Sequence, residues 1–258
     1  MGTVVVERCA DVLHMIRVMG AWMELPLPAV ATAQCFFHRA WEQYREEVQH
    51  KFGAKEMGLA CIFLASKCEE CARKVRDYVN TFWAFLHPEK TLVLEIGGED
   101  YWRIKTSMLR NEMNLLRMMA FDTEISHPFP LLFNYLKLLE APYEVCQVSL
   151  NLLNDSYLSP LCVDPTFRHC EWCCSCIHIS ANLLDWQPPL HWHEPMEVSV
   201  QQLEDAACRV LDTYLQEDTL PSQHLPKCLL RPQESSSSSS ASSAPSASST
   251  ATVPSPSV

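Results

Sequence analysis

The chain has 258 residues, enough for one large domain or two of ordinary size, and a hydrophobic content of 48% supports a true core. A formal net charge of -11 argues against a nucleic-acid-binding module, which needs a basic face to neutralise phosphates. Six glycines and little β-branched alternation make helices the default, and no run approaches the ~20 apolar residues that a membrane span requires.

Helical periodicity starts at Glu7 and runs to Met23, with Cys9, Val12, Leu13, Ile16 and Met19 as apolar positions. Leu25-Pro26-Leu27-Pro28 breaks it, and Pro28 suits the first turn of a second helix carrying Ala33, Phe36, Phe37, Ala40, Trp41 and Tyr44 on one stripe. The third segment, Met57 to Glu70, is apolar or small at nine consecutive positions before Ser66 and Lys67. A helix that is apolar all round belongs inside a bundle. A fourth runs from Arg73 to Phe85, with Val75, Tyr78, Val79 and Phe82 on one face. A loop punctuated by Gly97-Gly98 leads to a fifth, Tyr101 to Ala120, built on Ile104, Met108, Leu109, Leu115, Leu116 and Met119.

The second half repeats this rhythm with helical patterns at 130–140, 143–157, 166–186 and 200–216, interrupted by Pro188, Pro189 and Pro195. The pattern predicts an all-α protein of two tandem five-helix units, residues 1–124 and 125–219. From Leu220 the composition turns to Ser, Ala, Pro and Thr, with six consecutive serines from Ser235. Such a segment, 220–258, buries too little apolar surface to offset its ordering entropy and is expected to be a disordered tail.

Two charges interrupt apolar stripes. Lys67 lies four residues after Phe63, and Glu112 lies four after Met108 and four before Leu116. A buried charge must be paired or must meet a partner's polar groups. Two readings therefore stand side by side: a Lys67–Glu112 bridge that staples two core helices, or a pair that contacts something outside the domain.

His169, Cys170, Cys173, Cys174, Cys176 and His178, with His191 and His193 beyond, include a Cys-x-x-Cys beside histidines, the raw material of a zinc site. On one helix these side chains point around its circumference, and no second Cys-x-x-Cys follows at finger spacing. Cysteine also packs as a small hydrophobe, so the expectation is core packing without a metal. Cys68 and Cys71 lack the βαβ surroundings of a redox pair, and the acids between them raise thiol pKa values. No Gly-rich phosphate loop, Gly-x-Ser-x-Gly elbow or His-Glu-x-x-His occurs, so neither catalysis nor a cofactor is expected. Thirteen cysteines with no visible export signal point to reduced thiols in the nucleus or cytoplasm.

Several of these segments resemble one family. Leu64-Ala65-Ser66-Lys67-Cys68-Glu69-Glu70 is similar to the signature that ends the third helix of the cyclin box. Phe36-Phe37-His38-Arg39 resembles part of its second helix, and Arg73 to Asn80 the fourth helix of transcription-type cyclins. Met108 to Arg117, followed by Phe121-Asp122, resembles the fifth; His127-Pro128 with Leu131, Leu132, Tyr135 and Leu136 resembles the opening of the second box. The likeness rests on motifs over residues 7–140 and on helix rhythm over 141–216. Gly98 to Trp102 and the His-Pro opening look most like cyclin Q, with cyclins K and L close behind.

The resemblance implies a regulatory subunit, not itself an enzyme, that binds and activates a cyclin-dependent Ser/Thr protein kinase in transcription or growth control. In cyclins the residues matching Lys67 and Glu112 contact the start of the kinase's mobile helix. A lysine donates to main-chain carbonyls and a carboxylate accepts main-chain N–H groups, which suits a helix end. Pressing that helix inward lets its Glu pair with the ATP-binding Lys that phosphoryl transfer requires. By the same resemblance Glu70, Arg73 and Arg76 neighbour the contact at its rim, and Arg8 is structural, pairing with a carboxylate inside the box. The competing expectations are a non-activating scaffold or a DNA-associated transcription factor on the same fold, and the zinc site above. The acidic balance speaks against DNA, and the retained Lys67 and Glu112 speak against a scaffold.

Overall fold

In a computed structural model that describes residues 8–89, 94–95 and 97–215, the described residues form nine α-helices, short 3-10 and π turns, and no strand. Helices α1 (Cys9–Trp22), α2 (Leu27–Glu47), α3 (Ala54–Cys68), α4 (Val75–Leu86) and α5 (Glu99–Met118) share one apolar core. Helices α6 (Phe129–Leu138), α7 (Tyr143–Ser156), α8 (His169–Leu183) and α9 (Val200–Leu215) build a second. The second set holds four α-helices among the described residues. Between α8 and α9, Pro188, Pro189 and Pro195 occupy the stretch where a further helix would run, and only a 3-10 turn at Glu194–Met196 forms there. Prolines remove the N–H donors an α-helix needs. The tail expected at 220–258 lies outside the described residues.

Helix α3 is the axis of the first core. It begins at Ala54, three residues before the apolar run, because Gly53 takes a φ of 78° and turns the chain into the helix. From Met57 to Ser66 every side chain is buried, and the helix packs against α1, α2, α4 and α5. Gly58 permits the approach of α1: a Cβ there would meet Val12 Cγ1 at 2.5 Å and Met15 Cε at 2.8 Å. Tyr78 of α4 then closes the far end. Its hydroxyl donates to Ser66 Oγ at 2.5 Å and accepts the Arg73 N–H at 3.2 Å, and Ser66 Oγ donates to the Phe63 carbonyl at 2.7 Å. Every polar group in that corner is therefore satisfied.

Helix α3 ends in a Schellman turn. The Cys71 N–H bonds the Ser66 carbonyl at 2.9 Å, the Glu70 N–H bonds the Lys67 carbonyl at 3.2 Å, and Glu70 takes a left-handed φ of 54°. The same 6→1 closure ends α1 on Glu24, α5 on Ala120, α6 on Glu140 and α8 on Asp185, each at positive φ. None of these five positions is the glycine that such caps favour, and four carry an acid.

Helix α2 is the wall shared by both cores. Phe36, Phe37 and Ala40 face the first, while Ala31 and Cys35 belong to the second. Where they meet, a polar seam crosses the apolar contact. Thr32 Oγ1 donates to Glu69 Oε1 at 2.7 Å and lies 2.7 Å from His127 Nε2, whose Nδ1 is 2.9 Å from the Tyr157 hydroxyl. His38 Nε2, also on α2, donates to the Tyr157 carbonyl at 3.1 Å. Burial pushes His38 and His127 down to about 4, so both rings are neutral near pH 7, although Glu69 partly offsets the effect at His127.

The close approach at Gly58 makes Gly58→Ala destabilising by about 1–3 kcal/mol through overpacking, read as a lower thermal midpoint by circular dichroism. An unchanged midpoint would mean that α1 stands further from α3. The two buried histidines set a second expectation. Unfolded, they titrate near ~6.5, so between that value and about 4 the unfolded state binds more protons than the folded one. Their contribution is complete above that window and is lost as pH falls through it. The urea midpoint should decline across the same interval, and His38→Gln should make the decline shallower.

Candidate functional site

After the enclosed stretch from Met57 to Ser66, α3 reaches solvent in its last turn, and Lys67 stands on it. Its ammonium lies 2.6 Å from Glu112 Oε1 on α5 and 3.9 Å from the centroid of the Phe63 ring one turn back. The Lys67 side chain is 42% exposed and that of Glu112 is 11% exposed. The two residues singled out in the sequence are thus brought together, and the bridge between α3 and α5 exists. It is not an interior bridge, however. The stripe that predicts a buried Lys67 ends at the surface, because the Schellman turn carries the chain off the core immediately afterwards. A half-exposed ion pair contributes roughly 0–1 kcal/mol, so its stapling role is modest. The pair presents an ammonium with spare donors and a carboxylate with a spare oxygen at one rim.

Beside it, α5 shows two apolar stripes. Tyr101, Ile104, Met108 and Leu115 are buried, whereas Trp102, Leu109 and Met113 follow one another at seven- and four-residue spacing on an exposed face. Leu109 is 38% and Met113 44% exposed, within one turn of Glu112, and the Lys105 ammonium covers the Trp102 ring at 4.6 Å. Periodicity places Leu109 with the core positions, and the structure puts it on the open face instead. Two apolar stripes on one helix were the available signal that one of them faces outward.

The remaining expected positions fall as follows. Glu70 is the exposed left-handed residue just past the C-cap of α3. Arg73 directs its guanidinium to the Glu24 carbonyl at the end of α1, 3.4 Å away, and Arg76 lies 3.5 Å from its neighbour Asp77. Both are at the α3–α4 turn, engaged elsewhere than at the Lys67–Glu112 pair. Arg8 meets Asp11 at 3.6 Å in the first turn of its own helix.

The α8 cysteines are packed. Cys173, Cys174 and Cys176 are buried; Cys173 points its thiol at the Pro128 carbonyl, 3.4 Å away. Burial pushes Cys174 up to about 12 and raises Cys173 and Cys176 as well, so the thiolate a metal needs is disfavoured. His178 accepts from the Asn182 amide at 3.1 Å, His191 pairs with Glu194, and His193 donates to the Val198 carbonyl. Among the described residues no three His, Cys, Asp or Glu side chains are grouped to hold a metal ion. Burial and then the Glu69 charge raise both Cys68 and Cys71, against a redox pair.

No protein-family model matches the chain. Among curated proteins it is similar to Cyclin-L2 of Homo sapiens, 28% identical over 207 residues, which are 78% of this chain and 39% of the relative. It is also similar to Cyclin-L1-1 of Arabidopsis thaliana, 31% identical over 204 residues, 76% of this chain and 47% of the relative. The chain thus spans less than half the length of the curated relatives it matches. Among solved structures, a chain of the yeast RNA Pol II CTD kinase CTDK-1 complex aligns with a TM-score of 0.64 at 17% identity, over 84% of this chain and 71% of that one. A chain of the Chaetomium thermophilum CAK complex bound to ATP-gamma-S aligns at 0.55 and 15% identity, over 79% and 62%. Both share the fold of the two helical units. The relatives are L cyclins, one of the two subfamilies read as near neighbours; the likeness to cyclin Q is not what they show. Fold and sequence together place the chain in the cyclin family, on its transcription-type side.

Proposed function

We propose that this chain is the regulatory, non-catalytic subunit of a cyclin-dependent Ser/Thr kinase of the transcription class, acting in the nucleus, with boxes at 1–124 and 125–219. The observation that carries the reading is the Lys67–Glu112 pair at the solvent-facing end of α3, flanked by exposed Leu109 and Met113. A helix end of the kinase laid across this rim offers carbonyls to the ammonium and N–H groups to the carboxylate. Leu109 and Met113 supply the apolar area whose removal from water drives the contact. The modest strength of the existing ion pair matters, because the pair is easily rearranged toward a partner.

The physical work of such a subunit is a population shift. Binding the active arrangement of the kinase helix better than the inactive one raises the active fraction, by no more than that difference in affinity. Support for a transcription kinase comes from the names of the two structural neighbours, a CTD kinase complex and a CAK complex. The acidic balance supports a protein partner over direct contact with nucleic acid.

The test is to capture the tagged chain from cells, identify the bound kinase, and repeat the binding and activity measurements with purified kinase. Lys67→Ala combined with Glu112→Ala should keep the helical spectrum and a cooperative melt, while kinase affinity falls at least about tenfold and activation falls with it. Undiminished activation by the double variant would sink the proposal, and binding without activation would favour a scaffold. Protein purified without chelator should carry less than about a tenth of a zinc ion per chain, against the zinc reading.

A further inference from the structure

The seam between the two cores has one arrangement of protons. Thr32 has a single hydroxyl hydrogen, and its short contact to Glu69 Oε1 uses it. The contact from His127 Nε2 to Thr32 Oγ1 must therefore be a donation by His127, which leaves Nδ1 unprotonated to accept the Tyr157 hydroxyl hydrogen. The result is a directed chain: Tyr157 O–H to His127 Nδ1, His127 Nε2–H to Thr32 Oγ1, Thr32 O–H to Glu69. Each group gives one hydrogen and none is left over. A neutral imidazole is the form that both bonds require.

The two ends of this chain differ in kind. Tyr157 is anchored in the second core: fully buried, stacked on Phe129 at 5.8 Å between ring centroids, packed on Trp172, and held at its carbonyl by His38. Glu69 is the C-cap of α3 and lies two residues from Lys67. Around it Lys67, Cys68 and Glu70 are exposed, so the carboxylate ties the turn toward α2 and the second core while Lys67 ties it to α5.

We propose that the second box positions the Lys67-bearing turn of α3 through Tyr157, His127, Thr32 and Glu69, which makes Tyr157, His127 and Thr32 positioning residues for the kinase-docking rim. The inference rests on the docking reading of Lys67 and Glu112 for its functional consequence, and on the seam alone for its structural one. It explains why a box that contributes nothing to the Lys67–Glu112 pair is nonetheless bonded to the end of the helix carrying it.

Thr32→Val removes the hydroxyl without changing shape, and Tyr157→Phe removes only the donor at the far end. In the full chain both should speed hydrogen exchange at the Glu69, Glu70 and Cys71 amides and alkylation of the exposed Cys68 by iodoacetamide, by about three- to tenfold. Both should also weaken affinity for the captured kinase by a similar factor. Thr32→Ser should restore all three readouts. Leu153→Val, which loosens the second core without touching the chain, should leave them at their original values, and nitrogen NMR should find His127 protonated on Nε2.

Wild-type exchange and alkylation in Thr32→Val would overturn the proposal. So would equal changes in Leu153→Val, a His127 protonated on Nδ1, or a loosened turn with unaltered kinase affinity. Failure of the docking reading is separately visible, because it leaves kinase affinity unaltered in the Lys67→Ala, Glu112→Ala variant as well, whereas failure of the positioning alone leaves that variant weakened.

Discussion

Everything in the first box follows from the enclosure of α3. Between Met57 and Ser66 a helix surrounded by α1, α2, α4 and α5 has no solvent face, so that stretch must be small or apolar throughout, and Gly58 must stay small for α1 to come close. Enclosure also decides where chemistry can occur. Beyond that stretch the helix meets water at its two ends, and Lys67 sits at the C-terminal one. Glu112 is held by the same geometry, since α5 packs along α3 and delivers its carboxylate to the emerging end. The ion pair is thus a product of core packing that happens to finish at the surface.

Much of this was legible in the sequence. The stripes of α1, α2 and α4 give their buried faces directly, and the uninterrupted run of α3 marks it as the enclosed helix. Lys67 and Glu112 stand out as charges on apolar stripes, and they do meet. What periodicity alone does not carry is depth along a helix: it shows which face is apolar but not where the bundle ends. That is why Lys67 reads as buried and proves half exposed, and why Leu109 reads as core and lies open beside Glu112. The start of α3 at Ala54 depended on a backbone angle at Gly53. The polar seam was beyond reach, because His127 meets Thr32 across 95 positions and Tyr157 across 30. The His-Pro pair marks the start of the second unit, but nothing in its neighbours along the chain specifies what the ring bonds.

The second box shows the same logic in looser form. Its enclosed helix, α8, uses cysteine and serine where α3 uses alanine and leucine, and the buried serines turn their hydroxyls back to carbonyls one turn earlier, as Ser175 does to Trp172 and Ser180 to Ile177. Small side chains let α7 and α9 pack closely, so the cysteine-rich sequence that invited a metal reading serves helix approach. The prolines before α9 replace one helix by turns without breaking the core.

The helix ends carry a consequence of their own. Glu24, Glu70, Glu140 and Asp185 place L-residues in the left-handed region, each at a cost of roughly 1 kcal/mol. They also set negative charge at helix C-termini, where the macrodipole is already negative. Neither choice helps folding, yet all four side chains are exposed. At Glu70 that negative charge stands within a few residues of Lys67, Arg73 and Lys74, so the turn presents both signs to solvent. A charged surface approaching this rim would be turned by those opposed charges before any contact forms, so its rate of arrival would depend on ionic strength far more than its final grip.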